Sequence, residues 1–315
     1  LNASAWRPSG SLPSLRQRAA LIAQLRSYFQ QHGVLEVTTP VFTAQPSSEP
    51  TLANLCVSSD SDQRWLRTSP ESALKRLVAA GYGDVYEMGP VFRAEEAGQL
   101  HAAEFTLLEW YRCGFDHHRL MDDVTTLLKA VGFDAPVKRL AYTDLFRSAL
   151  GNVPQQFDND ALVSCLSRLG VHLDSTDRDD RALLLDAVYL HCLEPQLRTA
   201  GAVLLFDFPS EHRAYARMSA TTPNCAARFE LIINGIEVAN GYHEITDAEE
   251  QAACFNAENE LRVVRGLAPV ALEEAWLAAL RHGLPDVSGV ALGVERLHMV
   301  LAQQTHIDAV RSFTA

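Results

Sequence analysis

The chain has 315 residues, 47% of them hydrophobic and 21% charged, and a formal net charge of −12. That is the composition of a folded globular protein with a real core, not of a disordered chain, and no apolar run reaches the ~18 residues of a membrane span. The acidic balance argues against a generic polyanion binder, which needs clustered Lys and Arg.

In chain order, the opening stretch 1–18 has no apolar signal-peptide core, so a cytoplasmic setting is expected; Leu1 is not an initiator Met. Residues 14–31 put Leu15, Ala19, Ile22, Leu25 and Phe29 at helical spacing, with Ser14 as N-cap. A strand follows at VLEVTTPVF, ending near Pro40, then a polar Pro/Ser-rich stretch over 44–64 with a short strand at TLANLCV. Ser69-Pro70-Glu71 opens a helix. DVYEMGPVFRAEE and AAEFTLLEWYR read as two arms of a hairpin, and HHRLMDDVTTLLKAVG as a helix. Residues 134–200 read as a mostly helical insertion in which DRDDRALLLDAVYLHCLEPQL is one amphipathic helix. AVLLFDFP is a buried strand, and ARFELIINGIEVANGYHEI two strands turning at Asn234-Gly235. Two helices and a glycine-punctuated strand running into a last helix complete the chain. Cys56, Cys113, Cys165, Cys192, Cys225 and Cys254 are far apart, with no C-x-x-C, which fits reduced thiols.

Three segments carry ionisable groups in patterns that suggest chemistry. In the hairpin, strand parity puts Arg93 and Glu95 on one face, and Phe105, Glu109 and Tyr111 on one face of the second arm, opposite Thr106, Leu108 and Trp110. Such a mixed charged and aromatic face suits a phosphate and a purine, whereas cross-strand surface ion pairs are the bland alternative. In GIEVANGYHE, Glu237 and Glu244 flank a kink expected at Asn240-Gly241 and could hold Mg²⁺ or a ligand ammonium. In GVALGVERL, Gly289 and Gly293 allow close backbone approach ahead of Arg296, without matching a dinucleotide or P-loop fingerprint.

In this order the segments resemble the three signature motifs of class II aminoacyl-tRNA synthetases. LIAQLRSYFQQHGVLEVTTP is similar to motif 1, FRAEE…H..EFT to motif 2 and GVALGVERL to motif 3. EFTLLEWY and IEVANGYHEITD point to the lysyl branch; SPE, KRLVAAG, GVALG and PDVSG point to its truncated paralogues, which join β-lysine to elongation factor P. The resemblance implies a single α+β catalytic domain over 1–315, a mainly antiparallel sheet flanked by helices, with the helical insertion at roughly 134–200 and no OB anticodon-binding domain.

It also implies ATP and Mg²⁺ as cofactors, and roles for residues. Arg93 would contact the α-phosphate and Arg296 the γ-phosphate, both as catalytic groups. Phe105 would stack on adenine, Glu95 meet its amino group and His101 the terminal phosphate, with Ala94, Ala102, Val238 and Gly293 lining the nucleotide site. Glu237 and Glu244 would be magnesium ligands. Ser69, Pro70, Glu71, Tyr111, Asn240 and Glu244 would receive the amino acid. Ala291, where lysyl-tRNA synthetases have Gly, would favour (R)-β-lysine over α-lysine. The family's Asn-Pro after the motif 2 histidine is Ala102-Ala103 here, and its motif 3 Asp is Glu295. The expected partners are elongation factor P and a second copy in a homodimer; no membrane partner is expected, and tRNA is disfavoured. Two alternatives stay open: a stand-alone synthetase fragment acting on tRNA or another RNA, and a non-catalytic regulatory paralogue.

Overall fold

Helix α1 (Leu12–Gln31) begins where Ser11, not Ser14, accepts a hydrogen bond from the Ser14 amide. Its buried residues Leu21, Leu25, Tyr28 and Phe29 recur at helical spacing and define the face that meets the sheet. The computed structural model describes residues 6–59, 63–174 and 177–314. The chain's opening residue, the first few residues of the stretch tested for a signal peptide, and part of the polar stretch over 44–64 lie outside them.

From α1 the chain forms β1 (Leu35–Glu36), β2 (Phe42–Thr43), β3 (Leu55–Ser58), β4 (Gln63–Leu66), α2 (Glu71–Ala79), β5 (Val85–Phe92), β6 (Glu104–Cys113) and α3 (His117–Ala130). Then come β7 (Val137–Ala141), α4 (Tyr142–Leu150), α5 (Asn159–Arg168), α6 (Arg181–Val188), α7 (Glu194–Leu197), β8 (Ala202–Pro209), β9 (Cys225–Ile233) and β10 (Ile236–His243). The last elements are α8 (Ala248–Val264), α9 (Glu274–Gly283), β11 (Val287–Gly293) and α10 (Val294–Leu301). The fold is α+β, as expected. The chain divides into two compact units, residues 1–134 with 244–315, and 135–243.

In the first unit β1 runs parallel to β5, while β5–β6 and β6–β11 are antiparallel. One face of these strands is sealed by α1: Phe29 stacks on Tyr86 at 4.2 Å and meets Trp110 edge-on at 5.3 Å. Asp123 of α3 satisfies two buried donors there, Tyr28 Oη at 2.6 Å and Trp110 Nε1 at 3.0 Å. With that face closed, chemistry is confined to the other. Beside it, β2, β4 and β3 form a small antiparallel sheet.

In the second unit β7 pairs parallel with β8, and β8–β9 and β9–β10 are antiparallel. Leu162, Leu166, Leu184, Leu185, Leu205 and Phe208 belong to its own core. The β9–β10 hairpin turns where expected, with Asn234 (φ 51°) and Gly235 (φ 80°) both left-handed, the geometry a two-residue hairpin demands.

Three expectations are corrected. The run over 177–197 is not one helix: α6 ends at Val188, a wide π-turn spans Tyr189–Leu193, and Pro195 sits in the first turn of α7. Strand β7 replaces helix near 137. The irregularity in β10 lies between Glu237 and Ala239, a bulge at Val238, whereas Gly241 pairs regularly with Phe229.

Candidate active site

The open face of the first unit is built by register. Glu87 lies opposite Glu109, and across the next ladder Ala291 lies opposite Glu109 and Gly289 opposite Tyr111. With a side-chain period of two, Phe105, Glu109, Tyr111, Gly289, Ala291 and Gly293 share one face. The parity expected for Phe105, Glu109 and Tyr111 therefore holds. That expected for Arg93 and Glu95 does not, because β5 ends at Phe92 and both residues lie in the connection beyond it. Arg93 is instead fixed through its backbone, its amide donating to Ala103 O at 2.8 Å.

Glu71, Glu109 and Glu244 gather at one end of this face around Lys75 of α2. The Lys75 Nζ stands 2.6 Å from a Glu71 oxygen and 2.6 Å from a Glu244 oxygen. Ser69 Oγ donates to Glu109 Oε2 at 2.7 Å and accepts the Glu71 amide at 3.0 Å; Tyr111 Oη donates to Glu109 Oε1 at 2.8 Å. Gly289 is required here: a Cβ would stand 2.4 Å from the Tyr111 ring and 2.6 Å from Glu244 Oε1. Gly293 faces a looser requirement, the nearest atom to a Cβ being in Arg296 at 3.7 Å.

Burial, reinforced by the Glu71 charge, pushes the Glu109 carboxyl up to about 8. The same burial, and the Glu109 carboxylate, hold the Tyr111 phenol well above its usual range. For Lys75, burial alone acts downward, but Glu244 and Glu71 more than offset it and keep the ammonium charged. Because Glu109 binds its proton more tightly folded than unfolded, its contribution to stability is full below the ordinary value of 4.5 and is lost as pH rises through about 8. Urea melts at pH 5.5 and 8.5 are expected to show this fall in wild-type protein and a shallower one in Glu109→Gln; equal slopes would contradict the assignment.

At the other end of the face, the Arg93 guanidinium lies 5.1 Å over the Phe105 ring and bonds Glu96 at 3.0 Å. Arg296 Nε donates to Leu100 O at 3.2 Å. Ala94, Glu95 and His101 are exposed in the connection. Ala102 is buried in a small apolar cluster with Met299, Ile307 and Val310, which suits its methyl. Glu295 uses its length to accept from the Thr106 amide at 2.9 Å and from Arg18 at 2.8 Å.

Glu237, Val238 and Asn240 belong to the second unit, on β10. Val238 is buried at the bulge and Glu237 is exposed. Asn240 Oδ1 accepts from Arg228 Nε at 3.3 Å, and Arg228 also pairs with Glu230. Burial pushes Glu230 up to about 7, opposed by Arg228 and helped by Glu237. No three His, Cys, Asp or Glu side chains among the described residues converge to hold a metal ion. Glu244 is engaged by Lys75, so this donor set fits an ammonium better than magnesium.

Sequence reasoning assigned no role to Glu109 or Lys75. Parity had put Glu109 on the right face, and the four-residue spacing of Glu71 and Lys75 was visible but reads as a surface pair.

The chain matches the family model described as tRNA synthetases class II (D, K and N) over residues 5–315. It is 39% identical to the elongation factor P–(R)-β-lysine ligase of Vibrio vulnificus over 98% of this chain and 97% of the relative. It is 38% identical to the Vibrio cholerae protein of that name, over 98% of each, and 37% to that of Haemophilus influenzae, over 98% and 97%. Motif order, the acid cluster on one face of the sheet and near end-to-end similarity agree: the chain belongs to the class II tRNA synthetase family, among its elongation factor P–(R)-β-lysine ligases.

Proposed function

We propose that the protein uses ATP to convert (R)-β-lysine to an aminoacyl adenylate and transfers the β-lysyl group to the ε-amino group of a lysine on elongation factor P. The observation that carries this reading is the cluster of Glu71, Glu109 and Glu244 on the same sheet face as Arg93 and Phe105. A diamino acid needs acids for its ammonium groups and an arginine where its carboxylate meets phosphate.

In the first step a carboxylate oxygen attacks the α-phosphorus, and the bond to the β-phosphate bridging oxygen breaks, releasing pyrophosphate. No protein nucleophile is required; positioning and charge stabilisation supply the catalysis. Arg93 and Arg296 take the α- and γ-phosphates, Phe105 the adenine, and Glu95, His101 and the 94–102 backbone the rest of the nucleotide, with Gly293, Glu237 and Val238. Glu237 would be the acidic contact for a magnesium ion, which would supply counter-charge to the triphosphate. In the second step an uncharged amine attacks the adenylate carbonyl, AMP leaves, and the nitrogen loses a proton as the amide forms.

Ser69, Pro70, Glu71, Tyr111, Asn240 and Glu244 receive the amino acid, with Glu109 added. An arriving ammonium favours the ionised form of Glu109, whose carboxyl burial pushes up to about 8, so binding below that pH is expected to release protons. Ala291 stands opposite Glu109 across the β6–β11 ladder, close enough for its methyl to shape the floor below the amine. Ala291→Gly is expected to shift the activation ratio toward α-lysine by ~1–2 kcal/mol, read by ATP–pyrophosphate exchange with each isomer. An unchanged ratio removes Ala291 from specificity, and no exchange with either isomer removes the proposed function itself.

The proposal extends to a cytoplasmic homodimer joined through the motif 1 segment, in keeping with Leu35 and Phe42, each 49% exposed. No helix among the described residues is long and apolar enough to cross a membrane.

A further inference from the structure

The acid cluster contains a cation that the proposed chemistry does not use. Lys75 is fully buried, 2.6 Å from an oxygen of Glu71 and 2.6 Å from one of Glu244, and its Nζ lies 4.6 Å from the centre of the Trp276 ring. The Glu71 and Glu244 oxygens are therefore no more than twice that separation apart. Two carboxylates at such spacing out of water repel strongly, and the arrangement persists only with a cation between them. Glu71 comes from α2 and Glu244 from the segment after β10, whose amide donates to Val287 O at 3.1 Å, so no shared local structure holds the pair together.

We propose that Lys75 is a positioning residue of the amino-acid pocket: its ammonium locks Glu71 and Glu244 into one arrangement and offsets one of three negative charges, leaving two for the two ammonium groups of a diamino acid. With the substrate bound and the Glu109 proton released to solvent, the formal count is −3 from Glu71, Glu109 and Glu244 and +1 from Lys75, giving −2. The inference rests on the reading of this cluster as the site of that substrate. Trp276 holds the lysine by a cation–π contact, and is itself braced edge-on by Phe255 at 5.3 Å. Without the charge, Glu71 and Glu244 relieve their repulsion by turning apart, which displaces the acid that meets the substrate amine. Arg93 and Phe105 make none of these contacts, so the nucleotide side is spared.

The test compares wild-type protein with Lys75→Met, Lys75→Gln and Lys75→Arg in ATP–pyrophosphate exchange, with thermal unfolding measured on each. Lys75→Met is expected to raise KM for (R)-β-lysine by roughly tenfold or more while KM for ATP stays within about threefold. Lys75→Arg, which keeps a cation beside Trp276, is expected to recover most of that loss. Should the methionine variant not fold, Lys75→Gln carries the same expectation, since it keeps a hydrogen-bond donor without the charge. Parallel rises in both Michaelis constants, or a glutamine variant as good as the arginine one, overturns the proposal. Wild-type protein that activates neither lysine isomer overturns the underlying reading instead, so the two failures are distinct.

Discussion

Arg93→Ala is expected to lower ATP–pyrophosphate exchange by about 10²–10³-fold, mostly in kcat, the usual loss when one preorganised group facing developing charge is removed. The Arg93 backbone is pinned to Ala103 across the connection, while the guanidinium rests over Phe105 and on Glu96 with a quarter of the side chain exposed. An incoming phosphate needs only to displace one partly exposed carboxylate contact, which costs little. Arg93→Lys is expected to recover only part of the rate, because a single ammonium cannot reproduce a forked donor stacked on a ring. A fall of less than tenfold in Arg93→Ala would show that the α-phosphate is stabilised elsewhere.

The second large effect is expected at Gly289. An added Cβ meets both the Tyr111 ring and Glu244 well inside contact distance, and neither can yield freely: Tyr111 is tied to Glu109, and Glu244 to Lys75. Overpacking of this kind costs about 1–3 kcal/mol. Since the cost falls on two substrate-facing groups, Gly289→Ala is expected to reduce kcat/KM for (R)-β-lysine by about 10²-fold at the upper end of that range, with KM for ATP little changed. Gly293→Ala is the internal comparison, because its Cβ meets only ordinary contacts. Equal losses in the two variants would contradict the packing argument.

What was legible in the sequence follows from how local each feature is. The β9–β10 turn was readable because Asn234-Gly235 needs two left-handed residues, a preference belonging to those residues alone. The faces of β6 were readable because parity is a property of one strand. Parity failed for Arg93 and Glu95 because the strand stops one residue earlier, a boundary set by pairing with β6 and by the return of the Arg93 amide to Ala103. The helix read across 177–197 failed because an apolar period survives a π-turn, while the backbone does not stay α-helical through it. Residues 69, 71, 111, 244 and 291 could be tied to one substrate only through family resemblance. Their meeting point depends on α2, β6 and β11 converging, which no local pattern encodes. Lys75 shows the limit most clearly. At four residues from Glu71 it looks like an ordinary helical surface pair, and only the arrival of Glu244 and Trp276 from distant segments buries it.

The acceptor is identified most directly by supplying purified protein with ATP, Mg²⁺ and (R)-β-lysine, offering elongation factor P and bulk tRNA in the same reaction, and reading both acceptors by intact mass. One β-lysyl group in amide linkage on a single lysine of elongation factor P, with unmodified tRNA, is expected. An adduct on tRNA alone, with elongation factor P unchanged, would contradict the proposed function.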